Sequence, residues 1–523
     1  MIGRLQNLLE VHRMKKTTIT LLTLLIVGSM LAACTNKPAA NTTEHILRIA
    51  SGYGMDEEYF REQYTELFEL ANENIKVEII PTMDYSNTGR YSNGTSNDPN
   101  EPLPKTSLEI MMDLMEGPNP PDVVILGAEQ MKTVMGKNLL APLDAQIKSS
   151  KFDTTDIVPV VMDSLKSFSE DGQLYALSPN FDSPALIYNK QMFIDAGVTD
   201  LPRDKMTWDE VFALAKRLTH DEGVNHKYGF SFSSQAKGGM FYSMKTYTDA
   251  FPLQMYDDLG EKMTVDTPEW ESVLTKLNQL QKDKIIPSGE DLKSIKEGNV
   301  SSDGGGDNQE GPFSYDDFMS GRVAMAIVNY GLLAQLNNAN KSADTIKGYT
   351  KIEWDVVTAP SFPDAPGVVA NIGLSNLMAI NAKSTNFDDA WKYLEFINGE
   401  KWAQLKSHST YQMVSLKKYI QPQDGIEFNI KAFYENIKQA PVADYNKLYR
   451  DKQNIWTIDQ IGQNVLSEVI TDKKTVKEAL TEWQTKGDLV LQKIKENPNA
   501  PIDPSLYQSS GTNSGAPKAN YGG

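Results

Sequence analysis

The chain is expected to be an α/β protein with largely parallel sheets. Three observations carry that expectation: short Val- and Ile-rich runs alternate with amphipathic segments, helix-start signals stand between them, and 523 residues suffice for two or more domains. The strand-like runs are 46–50, 75–80, 123–126, 323–328 and 354–358. Thr207 and Glu210 form a capping box, and Val211, Leu214, Ala215 and Leu218 follow on one helical face. Thr267 and Pro268 open a second helix with Trp270, Val273, Leu274 and Leu277 at helical spacing. Thr475 with Glu478 caps a third, turning Val476, Ala479, Leu480 and Trp483 inward.

The N-terminus predicts export. Lys15 and Lys16 precede a mostly apolar run from Thr17 to Met30, too short to span a bilayer, and it ends in Leu31-Ala32-Ala33-Cys34. Cys34 is the only cysteine, and its position after small residues resembles the bacterial lipobox, in which that cysteine is acylated. The expected organisation is a signal peptide over 1–33 and a lipidated tether over 34–44, with Met14-Lys15-Lys16 the more natural start. The segments 86–106 and 297–314 read as long loops, and 504–523 as a disordered tail. No internal repeat stands out.

A formal net charge of −18 argues against nucleic acid and against binding to anionic lipid surfaces, so the lipid anchor is the only membrane contact expected. A search for chemistry finds little. Gly136-Lys137 lacks the P-loop context, since Met131 replaces its first glycine and Asn138 its Ser or Thr. There is no HExxH and no GxSxG, and the histidines form no metal-spaced cluster; His220 and His226 read as surface residues. Asp303 and Asp307 lack the EF-hand register and read as an ordinary acidic loop. The expectation is a binding protein with no cofactor, no metal and no catalytic residue.

Several segments, in order, resemble family 1 extracellular solute-binding proteins, the maltose-binding-like receptors of ABC importers. They are Pro121-Asp122-Val123-Val124, the Gly172 to Leu177 approach to Pro179, and Tyr188-Asn189-Lys190 with Phe193, Ala196-Gly197 and Thr207-Trp208-Asp209-Glu210. Phe318, Gly321 and Ala324-Met325 follow, then 354–360, 390–397 and 476–480. Most of these motifs read as structural: Thr207 as a cap, Tyr188 and Asn189 as packing or hinge groups, Ala324-Met325 as a buried strand. The resemblance covers about residues 45 to 490. It implies a two-lobed periplasmic-binding-protein-like fold with hinge strands and a central ligand cleft. Lobe 1 would comprise 45–181 and 368–410, and lobe 2 would comprise 182–367 and 411–503. The chain would cross near 180–182, 367–371 and 408–414.

The implied function is capture of a sugar or oligosaccharide and its delivery to an ABC importer permease by a monomer on the outer face of a cytoplasmic membrane, in a Gram-positive setting. The alternative is a non-transporting surface sensor or a carbohydrate-acting lipoprotein hydrolase. Carbohydrate sites combine aromatic faces with Asp, Glu and Asn, and open α/β sheets bind ligands beyond strand ends. The candidates are therefore Tyr53, Asp84, Tyr85 and Glu129 after the first three strands, with Phe181, Asp182, Tyr242, Asn329, Tyr330 and Trp456 from the hinge and second lobe. Asn329-Tyr330-Gly331 stands where maltose-binding members often carry tryptophan, which argues against maltose.

Overall fold

The computed structural model describes residues 44–52, 56–82, 105–220, 226–234, 239–251, 253–288, 313, 316–369, 372–374, 376–408, 412–422, 426–435, 437–440, 448, 452–497 and 502–507. Cys34, Tyr53, Asp84, Tyr85, Asp303 and Asp307 lie outside these residues. So do the segments 86–104, 297–312 and 508–523. Lys105 and Thr106, read as loop, are described, and Thr106 closes a capping box with Glu109 on the helix Ser107–Glu116.

Residues 44–46 and 72–76 make a small unit of their own, in which the His45 N–H donates to the Asn74 carbonyl at 2.8 Å. The remaining residues form the main unit, which holds, from Leu47 and Val77 onward, the strands of one principal sheet and the whole of a second. The first has the order β2-β1-β3-β9, with β1 His45–Ser51, β2 Ile75–Ile80, β3 Val123–Leu126 and β9 Leu377–Ile380. All four residues of β3 are buried, as expected for a strand covered on both faces. The second has the order β6-β5-β7, with β5 Pro184–Asn189, β6 Met325–Asn329 and β7 Trp354–Thr358.

The expectation of largely parallel sheets needs correction. β1 and β3 are parallel, but β9 runs antiparallel to β3, and β5 runs antiparallel to both β6 and β7. The reason lies in the connections. β6 and β7 are joined through a helix, the kind of connection that strands pointing the same way require. β5 arrives from a crossing strand and fills the slot between them from the other direction. That crossing strand is β4 (Asn180–Phe181), which pairs antiparallel with β10 (Met413–Val414). Short β8 (Val368–Val369) pairs with β11 (Lys438–Gln439).

The helices that matter for the site follow their start signals. α1 (Ala128–Gly136) follows β3, and α2 (Lys190–Asp195) follows β5, capped by the Asn189 side chain, which accepts the Gln191 and Met192 N–H groups. α3 (Trp208–Leu218) begins at the Thr207–Glu210 capping box. α4 (Met240–Thr248) buries Met240, Phe241, Met244, Tyr247 and Thr248, a stripe at helical spacing that leaves Tyr242, Ser243 and Thr246 on the other side. α5 (Pro268–Lys282) is capped by Thr267, and α6 (Tyr330–Lys341) starts at the end of β6. α7 (Trp456–Ile470) and α8 (Val476–Glu496) pack together over fully buried Trp483, whose indole N–H donates to the Ile458 carbonyl at 2.9 Å.

Two expectations are refined. The run 323–328 begins its strand at Met325. His226 is buried rather than on the surface, with Nε2 3.0 Å from the Lys284 carbonyl and its ring 4.6 Å from that of Tyr228. Among the described residues, no helix is long and apolar enough to cross a membrane.

The segment after His226 packs against α3 so closely that Gly229 has no room for a side chain: a Cβ there would land on the backbone carbonyl of Ala215. Gly229→Ala is therefore expected to cost about 2 kcal/mol or more, the scale of overpacking a filled core. A urea titration would read this as a lower midpoint at unchanged slope, and an unchanged midpoint would refute the packing argument.

Candidate functional site

The sheet β6-β5-β7 places a cavity of about 690 Å³ at one of its ends. Register puts Pro184 opposite Asn329 and Ala185 opposite Thr358, so this end comprises the start of β5 and the finish of β6 and β7. Pro184, Asn329, Ala359 and Pro360 all line it. Sites beyond the carboxyl ends of parallel strands are usual for α/β sheets, and β6 and β7 are such a pair.

Four elements furnish the walls. The segment Ser231–Ser234 runs beside β6, with the Ser231 N–H donating to the Met325 carbonyl at 2.9 Å, and brings Ser231, Ser233 and Ser234 to the cavity. The outer face of α4 contributes Gly239, Tyr242, Ser243 and Thr246, followed by Asp249. These positions share one side of a helix, so Tyr242 and Asp249 stand about 10 Å apart along its axis. The start of α6 contributes Gly331, Leu332 and Gln335. The fourth wall is apolar: Trp208 and Phe232, with ring centroids 5.6 Å apart, are backed by Phe212, Phe230 and Tyr247.

Asp182 joins these walls. Its backbone exchanges hydrogen bonds with Gly373, at 3.1 Å and 2.8 Å. Its carboxylate accepts the Ser183 N–H at 2.9 Å and the Tyr330 N–H, at the first residue of α6, at 3.2 Å. Burial raises its pKa above the ordinary carboxyl value, and the bonds from Ser183, Tyr330 and the Asn329 side chain oppose that rise. Beneath the serine wall lies a second acidic pair. The Asp317 N–H donates to the Ser234 carbonyl at 2.6 Å, and Asp317 Oδ1 accepts from Arg322 Nε and Nη2 at 3.1 Å and 2.6 Å. Asp316 is fully buried and accepts the Met319 N–H at 2.7 Å.

Of the candidates named from the sequence, Asp182, Tyr242 and Asn329 are brought together in this cavity. Tyr242 is 47% exposed, so its ring is available for contact. Phe181 is not available: it is fully buried in the crossing strand. Tyr330 is buried with its ring edge-on to Phe433, and only its backbone N–H serves the site. Trp456 packs edge-on against Tyr507 at 5.8 Å and is absent from the lining. Glu129 sits in the first turn of α1, beyond β3 and also outside the lining. Sequence reasoning missed Ser243, Thr246 and Asp249, although their spacing from Tyr242 would have found them once α4 was drawn. Among the described residues no cluster of three His, Cys, Asp or Glu could hold a metal ion.

Burial pushes the Asp316 carboxyl up to about 6 from the ordinary 3.8, with the charge of neighbouring Asp317 adding to the rise. The native state therefore holds a proton between about pH 4 and pH 6 that the unfolded chain releases. Stability from this group grows as pH falls through 6, and its ionised form costs up to about 3 kcal/mol above that pH. Asp316→Asn is expected to raise the urea midpoint at pH 7.5 and to lose most of that gain by pH 4.5. An equal gain at both pH values would mean that ionisation of Asp316 is not the cause.

The bacterial extracellular solute-binding protein family model matches residues 104–433. The sn-glycerol-3-phosphate-binding periplasmic protein UgpB of Shigella dysenteriae serotype 1 is 22% identical over 387 residues, covering 70% of this chain and 78% of that protein. A sugar transporter of Rhizobium etli in an open conformation is similar in structure, with 18% identity and a TM-score of 0.57, covering 85% of this chain and 99% of that one. An ABC substrate-binding protein of Listeria monocytogenes in complex with cycloalternan is also similar, with 19% identity and a TM-score of 0.52, covering 86% of this chain and 99% of that one. The fold is accordingly the two-lobed type of periplasmic binding proteins, and the chain belongs to the bacterial extracellular solute-binding protein family.

Proposed function

We propose that the protein captures a neutral sugar or oligosaccharide in the cavity beside Asp182 and Tyr242 and delivers it to an ABC importer. The single observation that carries this reading is the chemistry of the lining. Hydroxyls of Ser231, Ser233, Ser234, Ser243 and Thr246, amides of Asn329 and Gln335, and the carboxylates of Asp182 and Asp249 surround the space. Such groups exchange hydrogen bonds with ligand hydroxyls, and the exposed Tyr242 ring supplies a flat apolar face for sugar C–H surfaces.

The relatives' names offer two solute classes, a glycerol phosphate and sugars. Charge separates them. Phosphate esters are normally held by Arg or Lys, and among the described lining residues there is no Lys, Arg or His. A phosphate placed there would face Asp182, Asp249 and Asp317 instead. Hinge closure follows the general rule that a ligand stabilises whichever state gives it additional contacts.

The further reading is that the protein acts as a monomer, held at the outer face of the cytoplasmic membrane through acylated Cys34. The lobe boundaries at 181/182, 367/368 and 410/411 belong to the same proposal. They are supported by β9 joining the first sheet while β5, β6 and β7 form the second.

Thermal-shift screening against mono- and oligosaccharides, with sn-glycerol 3-phosphate alongside, tests the ligand class. A rise of several degrees with one sugar class is expected, larger than any with the phosphate ester, since binding to the folded state alone stabilises it. The reverse pattern would overturn the assignment. With the sugar in hand, Tyr242→Ala should weaken binding about tenfold while leaving the melting temperature of the free protein nearly unchanged. For the anchor, metabolic labelling with radioactive palmitate should mark the wild type and spare Cys34→Ser, and equal labelling of both would exclude this attachment.

A further inference from the structure

The opposite end of the same sheet has the opposite electrostatic character. Asn189 ends β5, Arg322 lies just before β6 and Ile352 just before β7, and all three line a second cavity of about 550 Å³. The strands of the sheet lie between it and the first cavity, and the two linings meet at Arg322 and Asp317. Among the described residues its lining carries Lys227, Arg322, Lys351 and His220 against one carboxylate, Asp195. That carboxylate already accepts from Gln191 Nε2 at 2.7 Å. In a chain of formal net charge −18, this concentration of cations departs from the background.

We propose that this second cavity binds a small oxyanion of the phosphate or sulfate type, and that the anion competes with Asp317 for the Arg322 guanidinium. Lys227 Nζ donates one bond to the Gly321 carbonyl at 2.9 Å and retains two further N–H groups. Lys351 is exposed at the rim and is free to approach an anion. Thr350 adds a hydroxyl to the same space, while the Ser320 and Tyr349 hydroxyls beside it donate to the Asp317 carbonyl and to Asn340 Oδ1. Arg322 links the two ends of the sheet: its side chain is 20% exposed toward the second cavity, while its partner Asp317, 2% exposed, lies in the lining of the first. An anion that draws the guanidinium away weakens the pairing of a buried carboxylate behind the serine wall. The two cavities are then coupled through one ion pair, and by reciprocity the state of Asp317 must alter anion affinity.

This test needs no sugar, so its failure is distinguishable from failure of the carbohydrate reading. Isothermal titration of the purified protein with inorganic phosphate and with sulfate, at constant ionic strength set by chloride, should give saturable one-to-one binding. Lys351→Gln, an exposed change, should weaken it about tenfold, the scale of one charge-assisted contact. Asp317→Asn should tighten it about fivefold or more by weakening one competitor for Arg322. Absence of saturable binding, or wild-type affinity in Lys351→Gln, would overturn the site. Unchanged affinity in a folded Asp317→Asn protein would overturn the competition. If that variant does not fold, the Lys351→Gln result still decides the site. Vesicles of phosphatidylcholine with phosphatidylglycerol separate the sources: sedimentation of wild type but not Lys351→Gln would place the oxyanion on a lipid headgroup, and no sedimentation, with phosphate bound in solution, would identify the free ion.

Discussion

The carboxylate of Asp182 is the constraint on which the serine-lined cavity depends. It stands where the crossing strand β4 turns into β5, and it reaches across to the Tyr330 N–H at the start of α6. The same residue is clasped by Gly373 through two backbone hydrogen bonds. Three parts of the chain distant in sequence are therefore held at one point, and each contributes to the cavity wall. A carboxylate is suited to this place because a helix N-terminus presents unpaired N–H groups and a partial positive charge.

From that joint the sheet direction follows, and the sheet direction separates the charges. β5 leaves Asp182 and runs between β6 and β7, so the starts of β6 and β7 are carried to the far end of the sheet. The near end collects hydroxyls and carboxylates, while the far end collects Lys227, Arg322 and Lys351. The ion pair between Asp317 and Arg322 spans the division, and its low exposure makes it more consequential than the surface pairs elsewhere, such as Arg217 with Asp200.

Much of the fold was legible in the sequence because its signals are local. The capping boxes at Thr207 and Thr475 and the Thr267-Pro268 start all open helices at the expected residues. The runs 75–80, 123–126 and 354–358 are strands with those bounds. Strand direction was not legible, because it depends on how the chain crosses between sheets. The site was legible only in part, for a related reason. Nearness to a strand end selected Phe181, Asp182, Asn329 and Tyr330 together, but alternation sends neighbouring side chains to opposite faces. Asp182 and Asn329 consequently reach the cavity, while Phe181 and Tyr330 are buried. Ser243, Thr246 and Asp249 escaped notice because a polar residue on a helix reads as solvated surface until its neighbours are known.

The apolar wall explains how the polar ladder on α4 can be held ready for a ligand. Trp208 stacks on Phe212 at 5.8 Å, and Tyr247, from the buried side of α4, approaches Trp208 edge-on at 5.3 Å. Aromatic contacts of this kind add to burial and prefer defined geometries, so the helix is fixed in rotation as well as in position. Fixing the rotation of α4 through Tyr247 fixes where Tyr242, Ser243 and Thr246 point, since all lie on the same rigid element. A ligand meeting these groups need not bear the entropy of ordering them, which is the general advantage of a preorganised site. The aromatic cluster thereby determines which way the polar groups of α4 face.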